Sequence, residues 1–149
     1  MIIRQTDKSL DENIQKYGCY FLSLAYCTGK EFTASQLNFI WTICIDKGYI
    51  NGDINGDGDM DDSNEAVIVN PNGVCRELGL SYKYVDKHIS PHEAIPEGYL
   101  SIGRFYNRRT RHIHFVVINR YKTVIFDPIP NSVTVKEGVL DSMRLYRPV

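Results

Sequence analysis

The 149-residue chain has no C-x-x-C pair: its four cysteines, Cys19, Cys27, Cys44 and Cys75, stand apart. Neither a zinc ribbon nor a dithiol redox site is written into that spacing. A chain of this length buries enough surface to fold without disulfides, so free thiols are the expected state. No run approaches the roughly 20 apolar residues of a membrane span. Met1-Ile2-Ile3-Arg4-Gln5 carries no leader pattern, so a soluble protein that does not enter a membrane is expected. Net charge is also scarce, at -1, which argues against nucleic acid as a partner. No composition shift, repeat or low-complexity linker divides the chain, and one domain over 1–149 is expected.

The near-neutral balance hides an asymmetry. Six of the 18 acids fall between Asp53 and Glu65, leaving 12 against 17 basic residues elsewhere. Asp53-Ile54-Asn55-Gly56-Asp57-Gly58-Asp59-Met60-Asp61-Asp62-Ser63-Asn64 follows D-x-N-x-D-G, with glycine at position six for a sharp turn. Alternate positions turn Asp53, Asn55 and Asp57 toward one point. Asp59 would add its backbone carbonyl, and Asp61 would ligate directly or through water. Position twelve is Asn64 where an EF-hand has a bidentate glutamate, and Glu65 lies one residue late. The segment resembles an EF-hand loop and the calcium loop of dockerin repeats, which implies calcium as cofactor and a loop insertion at about 51–65. The plainer alternative is an acidic, solvated turn.

The densest pattern lies toward the C-terminus. His112-Ile113-His114-Phe115-Val116-Val117-Ile118-Asn119 and Thr123-Val124-Ile125-Phe126-Asp127 are β-branched and aromatic, and Asn119 to Lys122 joins them as a hairpin. The hairpin sets a histidine beside an aspartate. His112 and His114 are two residues apart and so share a face, with His114 the favoured base and His112 the minority choice. The nucleophile to pair with them lies far upstream, in Gly18-Cys19-Tyr20-Phe21-Leu22, where Gly18 breaks one helical pattern and Cys19 opens the next. The positive end of a helix favours thiolate over thiol there. Cys27, Cys44 and Cys75 lack such a placement and read as small core residues.

Other segments fill in the architecture. Residues 1–6 are expected as a short strand and Asp7 to Glu12 as a helix start. Thr33-Ala34-Ser35-Gln36 opens a helix whose buried face runs through Leu37, Ile40, Trp41 and Cys44. Asn70-Pro71 caps another that ends at Gly79. Ser81–Val85, Tyr99–Phe105, Ser132–Lys136 and Met143–Tyr146 read as strands, and Asn107–Arg111 as a basic turn. Helices first and strands after indicate an α+β domain with N-terminal helices packed on a C-terminal antiparallel sheet.

Cysteine at a helix start, then a histidine opening a strand, then an aspartate ending the next strand: Gly18-Cys19, His114-Phe115-Val116-Val117 and Asp127-Pro128 carry this order. It resembles the papain-like cysteine peptidases, most of all their small C39-like branch, and implies a papain-like fold. The resemblance makes Cys19 the nucleophile, His114 its base and Asp127 the group that orients the imidazole. That family also places a glutamine before the cysteine to donate to the oxyanion. Asn13 stands at the usual six-residue distance, so Gln5, at the end of the expected first strand, ranks just ahead of Gln15 for the role. Tyr20 replaces the usual residue after the cysteine and is expected to narrow the cleft. The chain is also similar to small phage- and plasmid-borne proteins of the DUF261 type, which implies a cytoplasmic or phage-associated setting. The implied function is hydrolysis of a peptide or amide bond in a peptide or protein substrate. The alternative is a catalytically weak or inactive papain-like binding module, stabilised by calcium.

Overall fold

Gly18 sets the fold's first constraint. In the computed structural model, which describes residues 2–52, 68–85 and 89–149, it is the only residue between α1 (Glu12–Tyr17) and α2 (Cys19–Cys27). Its N–H donates to the Ile14 carbonyl at 2.8 Å, closing α1. A Cβ here would sit 2.5 Å from that carbonyl oxygen, so no larger side chain fits without moving the backbone. Cys19 is thereby fixed as the first residue of α2.

α3 (Ala34–Asp46) starts on the expected capping box. The Thr33 hydroxyl accepts from the Gln36 N–H, and the Gln36 side chain accepts from the Thr33 N–H. α4 (Pro71–Leu78) is capped by Asn70 and ends on Gly79 at φ 77°, a left-handed position that glycine adopts freely. The Trp41 and Phe21 rings pack edge to face with centroids 5.1 Å apart, tying α3 to α2.

Among the described residues, five strands form one sheet in the order β1-β5-β2-β3-β4, every neighbouring pair antiparallel. They are β1 (Tyr82–Tyr84), β2 (Leu100–Asn107), β3 (His112–Ile118), β4 (Val124–Phe126) and β5 (Val139–Pro148). Phe115 and Val117 of β3 bury against the helices, whereas Val116 and Ile118 pack with Met143 and Leu145 in a second cluster. That is the period of two expected of a strand covered on both faces. The architecture is α+β, with helices on an antiparallel sheet.

Two segments depart from the sequence-based expectation. Ser132–Lys136 is not a strand: residues Val133–Glu137 form the short helix α5, with the Ser132 Oγ accepting from the Val135 N–H. Val-Thr-Val suggested β, but the serine cap and Gly138, whose Cβ would lie 2.2 Å from the Thr134 carbonyl, impose a helical turn. Residues 2–4 form no strand either, and Gln5 begins a turn. The buried Ile50 and Ile68 form an antiparallel bridge. The calcium-loop expectation, Asp53 to Asn64, lies outside the described residues, as does His88.

Gly18→Ala is expected to lower stability by about 1–3 kcal/mol, the usual range for overpacking a tight site. Denaturant unfolding checks it. An unchanged midpoint would show that the α1–α2 junction tolerates a side chain.

Candidate active site

β4 is short, and the site depends on that. It pairs only with Val117 and Ile118, leaving the histidine-bearing half of β3 without a strand neighbour on that edge. Backbone groups of alternate residues point to the same edge, so the Phe115 carbonyl faces the gap that β4 leaves. The Ser23 hydroxyl of α2 donates to it at 3.4 Å. The Tyr20 ring lies on Phe115 with centroids 4.6 Å apart. The first turns of α2 therefore stand where β4 stops.

Phe126 is opposite Val117, and the next residue, Asp127, turns to the face that carries His114 and Val116. The two side chains are diagonal neighbours, within reach of each other. His114 Nε2 lies 2.6 Å from Asp127 Oδ1. A carboxylate only accepts, so Nε2 carries the proton. The same Oδ1 accepts from the Ile129 N–H at 2.9 Å, which fixes the carboxylate in an Asx turn. Cys19 is close enough to the His114 ring to raise its pKa. With Nε2 taken, Nδ1 is the nitrogen left for sulfur.

The structure brings Cys19, His114 and Asp127 together. Burial alone would lower the His114 pKa. The hydrogen bond to Asp127 and then the contact with Cys19 outweigh burial and carry it from 6.5 up to about 9. The ring is thus an imidazolium at neutral pH. Burial pushes the Cys27, Cys44 and Cys75 thiols up to about 12, and Cys44 is raised further by Glu77. All four cysteines are free. Cys19 is 1% exposed and His114 4%, so both are buried.

Gln5 is held beside Pro128 without the strand expected to deliver it. Its N–H donates to the Pro128 carbonyl at 2.8 Å, next to Asp127, and its Nε2 donates to the Gln15 carbonyl at 2.9 Å. The side chain is 3% exposed, and Oε1 has no hydrogen-bond partner. The Gln15 side chain also makes one such bond: its Nε2 donates to the Leu10 carbonyl at 2.8 Å. α2 has no side-chain cap, so the N–H groups of its first turn are left to other acceptors.

Two expectations change. His112, the minority choice for the base, is exposed and opposite Asn107 on β2. Tyr20 points into the core, its hydroxyl 2.5 Å from that of Tyr146, and does not narrow a cleft. One neighbour of the site carried no signal in the sequence: the Arg4 guanidinium donates to the Asp127 carbonyl and lies 4.8 Å from the centre of the Phe126 ring. Only the fold shows a partner 123 residues away.

The chain belongs to a family. It is the one described as protein of unknown function, DUF261, whose profile matches residues 1–148. No curated protein and no solved structure matches. No helix among the described residues of this DUF261 chain is long and apolar enough to cross a membrane.

The raised His114 pKa fixes a pH dependence. The protonated ring favours the folded state, so its contribution is complete below the ordinary 6.5 and is lost as pH rises through about 9. The loss is on the order of 3 kcal/mol. NMR of the ring should show titration near 9. Asp127→Asn should bring that titration down sharply, because burial then acts against less opposing charge. A titration unmoved by Asp127→Asn would detach the aspartate from the ring.

Proposed function

We propose that this protein is a papain-like cysteine hydrolase that cleaves a peptide or amide bond. The observation that carries the proposal is the His114 ring held between Cys19 and the Asp127 carboxylate, with Nε2 2.6 Å from Oδ1. This is the nucleophile, base and orienting group that acyl transfer needs.

Cys19 sulfur attacks the carbonyl carbon, and the carbonyl oxygen takes up the negative charge. The Cys19 N–H, at the uncapped start of α2, and the second Nε2 proton of Gln5 are the donors to that oxygen. His114 gives its Nδ1 proton to the leaving amine, and the C–N bond breaks to leave a thioester on Cys19. A water then loses a proton to His114, attacks the thioester and releases the acid and the thiolate. Asp127 holds the ring in one tautomer throughout and is itself never protonated.

The burial of Cys19 favours a second reading, a papain-like binding module without turnover. Hydrolysis of a fluorogenic peptide library separates the two. Cys19→Ala should abolish turnover, Asp127→Asn should depress it with the fold retained, and Gln5→Ala should cost about 10²–10³ in rate. A rate that survives Cys19→Ala would end the hydrolase reading.

The calcium proposal rests on the sequence of Asp53 to Asn64 alone. A cation bound only by the folded chain adds about 2.7 kcal/mol at a hundredfold excess over Kd. Melting should therefore be higher in millimolar calcium than in EDTA, and Asp57→Ala should remove the difference. Equal midpoints would leave an acidic turn.

A further inference from the structure

The structure holds a cavity of about 250 Å³ that the hydrolase reading does not use. Leu22, Ala25 and Tyr26 of α2 form one wall, Phe126 of β4 closes an end, and Ile2 and Ile3 border it. Its other walls are mostly apolar, with Lys30 and Glu31 the charged exceptions. Where a Cβ on Gly29 would sit there is open space, and Ile2, on the border, is 52% exposed. The cavity is therefore apolar, open and unfilled by this chain's own side chains.

Its placement ties it to the candidate active site. Cys19, Leu22 and Tyr26 are spaced i, i+3, i+7, one stripe of α2. At 1.5 Å per residue, Leu22 lies about 4.5 Å and Tyr26 about 10.5 Å along the axis from Cys19. Phe126 immediately precedes Asp127, and Ile3 is two residues before Gln5. The segments that carry the nucleophile, the orienting acid and the oxyanion donor thus also build the cavity. Tyr26 and Phe126 stack with centroids 4.4 Å apart and planes 8° from parallel, so that end is a fixed aromatic surface.

We propose that this cavity is a substrate subsite that receives an aliphatic or phenyl side chain of the peptide. The inference rests on the hydrolase reading and adds the substrate class to it. An apolar cavity of roughly 150 Å³ already takes a benzene ring, so the volume suits a side chain of leucine or phenylalanine size. A charged side chain would lose its hydration against the apolar walls. An extended peptide advances about 3.3–3.6 Å per residue, so the selected residue lies one to three positions from the bond cut.

Alkylation kinetics at Cys19 test the subsite. Iodoacetamide and N-benzyl iodoacetamide deliver the same reactive carbon, and the benzyl tail reaches from sulfur toward Leu22 and Ala25. After correction for each reagent's rate with glutathione, the benzyl reagent should alkylate Cys19 at least about tenfold faster. Ala25→Met, which fills the cavity, should bring that ratio near one. Phe32→Ala, a second lining change, should shift the preference toward a naphthylmethyl tail. Equal rates for the two reagents in the wild-type chain, or a benzyl preference that survives Ala25→Met, would overturn the subsite while leaving the nucleophile in place. Failure of both reagents at Cys19 would instead remove the hydrolase reading, and the subsite with it.

Discussion

The hydrogen bond from His114 Nε2 to Asp127 Oδ1 lies in an almost dry setting, and both ends of it are set by backbone pairing. β3 pairs along its whole length with β2, from His112 opposite Asn107 to Ile118 opposite Ser101, which fixes the histidine. β4 pairs with Val117 and Ile118 and then stops, which places Asp127 diagonally across from it. A longer β4 would hold the edge that α2 occupies, and Cys19 would have no approach to the ring. The site therefore depends on where a three-residue strand ends.

Burial then decides the electrostatics. In a dry setting opposite charges attract far more strongly than in water, so an imidazolium beside a carboxylate is held even though burial by itself favours the neutral ring. For the other three thiols burial wins: they rise to about 12, although Lys47 pulls Cys44 and Arg76 pulls Cys75 the other way. One fold thus separates a thiol facing a cation from three thiols kept as packing. The Arg4 and Gln5 contacts hold the chain on the far side of Asp127, so the carboxylate is braced from the N-terminal segment as well as from β4.

Much of this was legible because the signals were local. Thr33 with Gln36, Asn70 with Pro71, and Gly79 are caps whose chemistry acts within four residues, and each marks the helix end that forms. The hairpin from His112 to Asp127 was legible for the same reason, as was the juxtaposition of its histidine and aspartate. Ser132–Lys136 reads as β from its β-branched residues, but the Ser132 cap turns it into a helix. Residues 1–6 misled because their partners are distant: Gln5 is held by Pro128 and by Gln15 rather than by a strand ladder. Arg4 and the apolar cavity were invisible for a related reason, since each exists only once the first residues, α2 and β4 have met.

The central claim is that Cys19 differs in kind from Cys27, Cys44 and Cys75 because His114 stands against it. Mass spectrometry after limited treatment of the folded chain with a thiol-reactive probe at pH 6–7 tests this most directly. One adduct is expected, on Cys19, and it should vanish from a folded His114→Ala variant. An adduct first on Cys27, Cys44 or Cys75, or Cys19 labelling that His114→Ala leaves unchanged, would contradict the account.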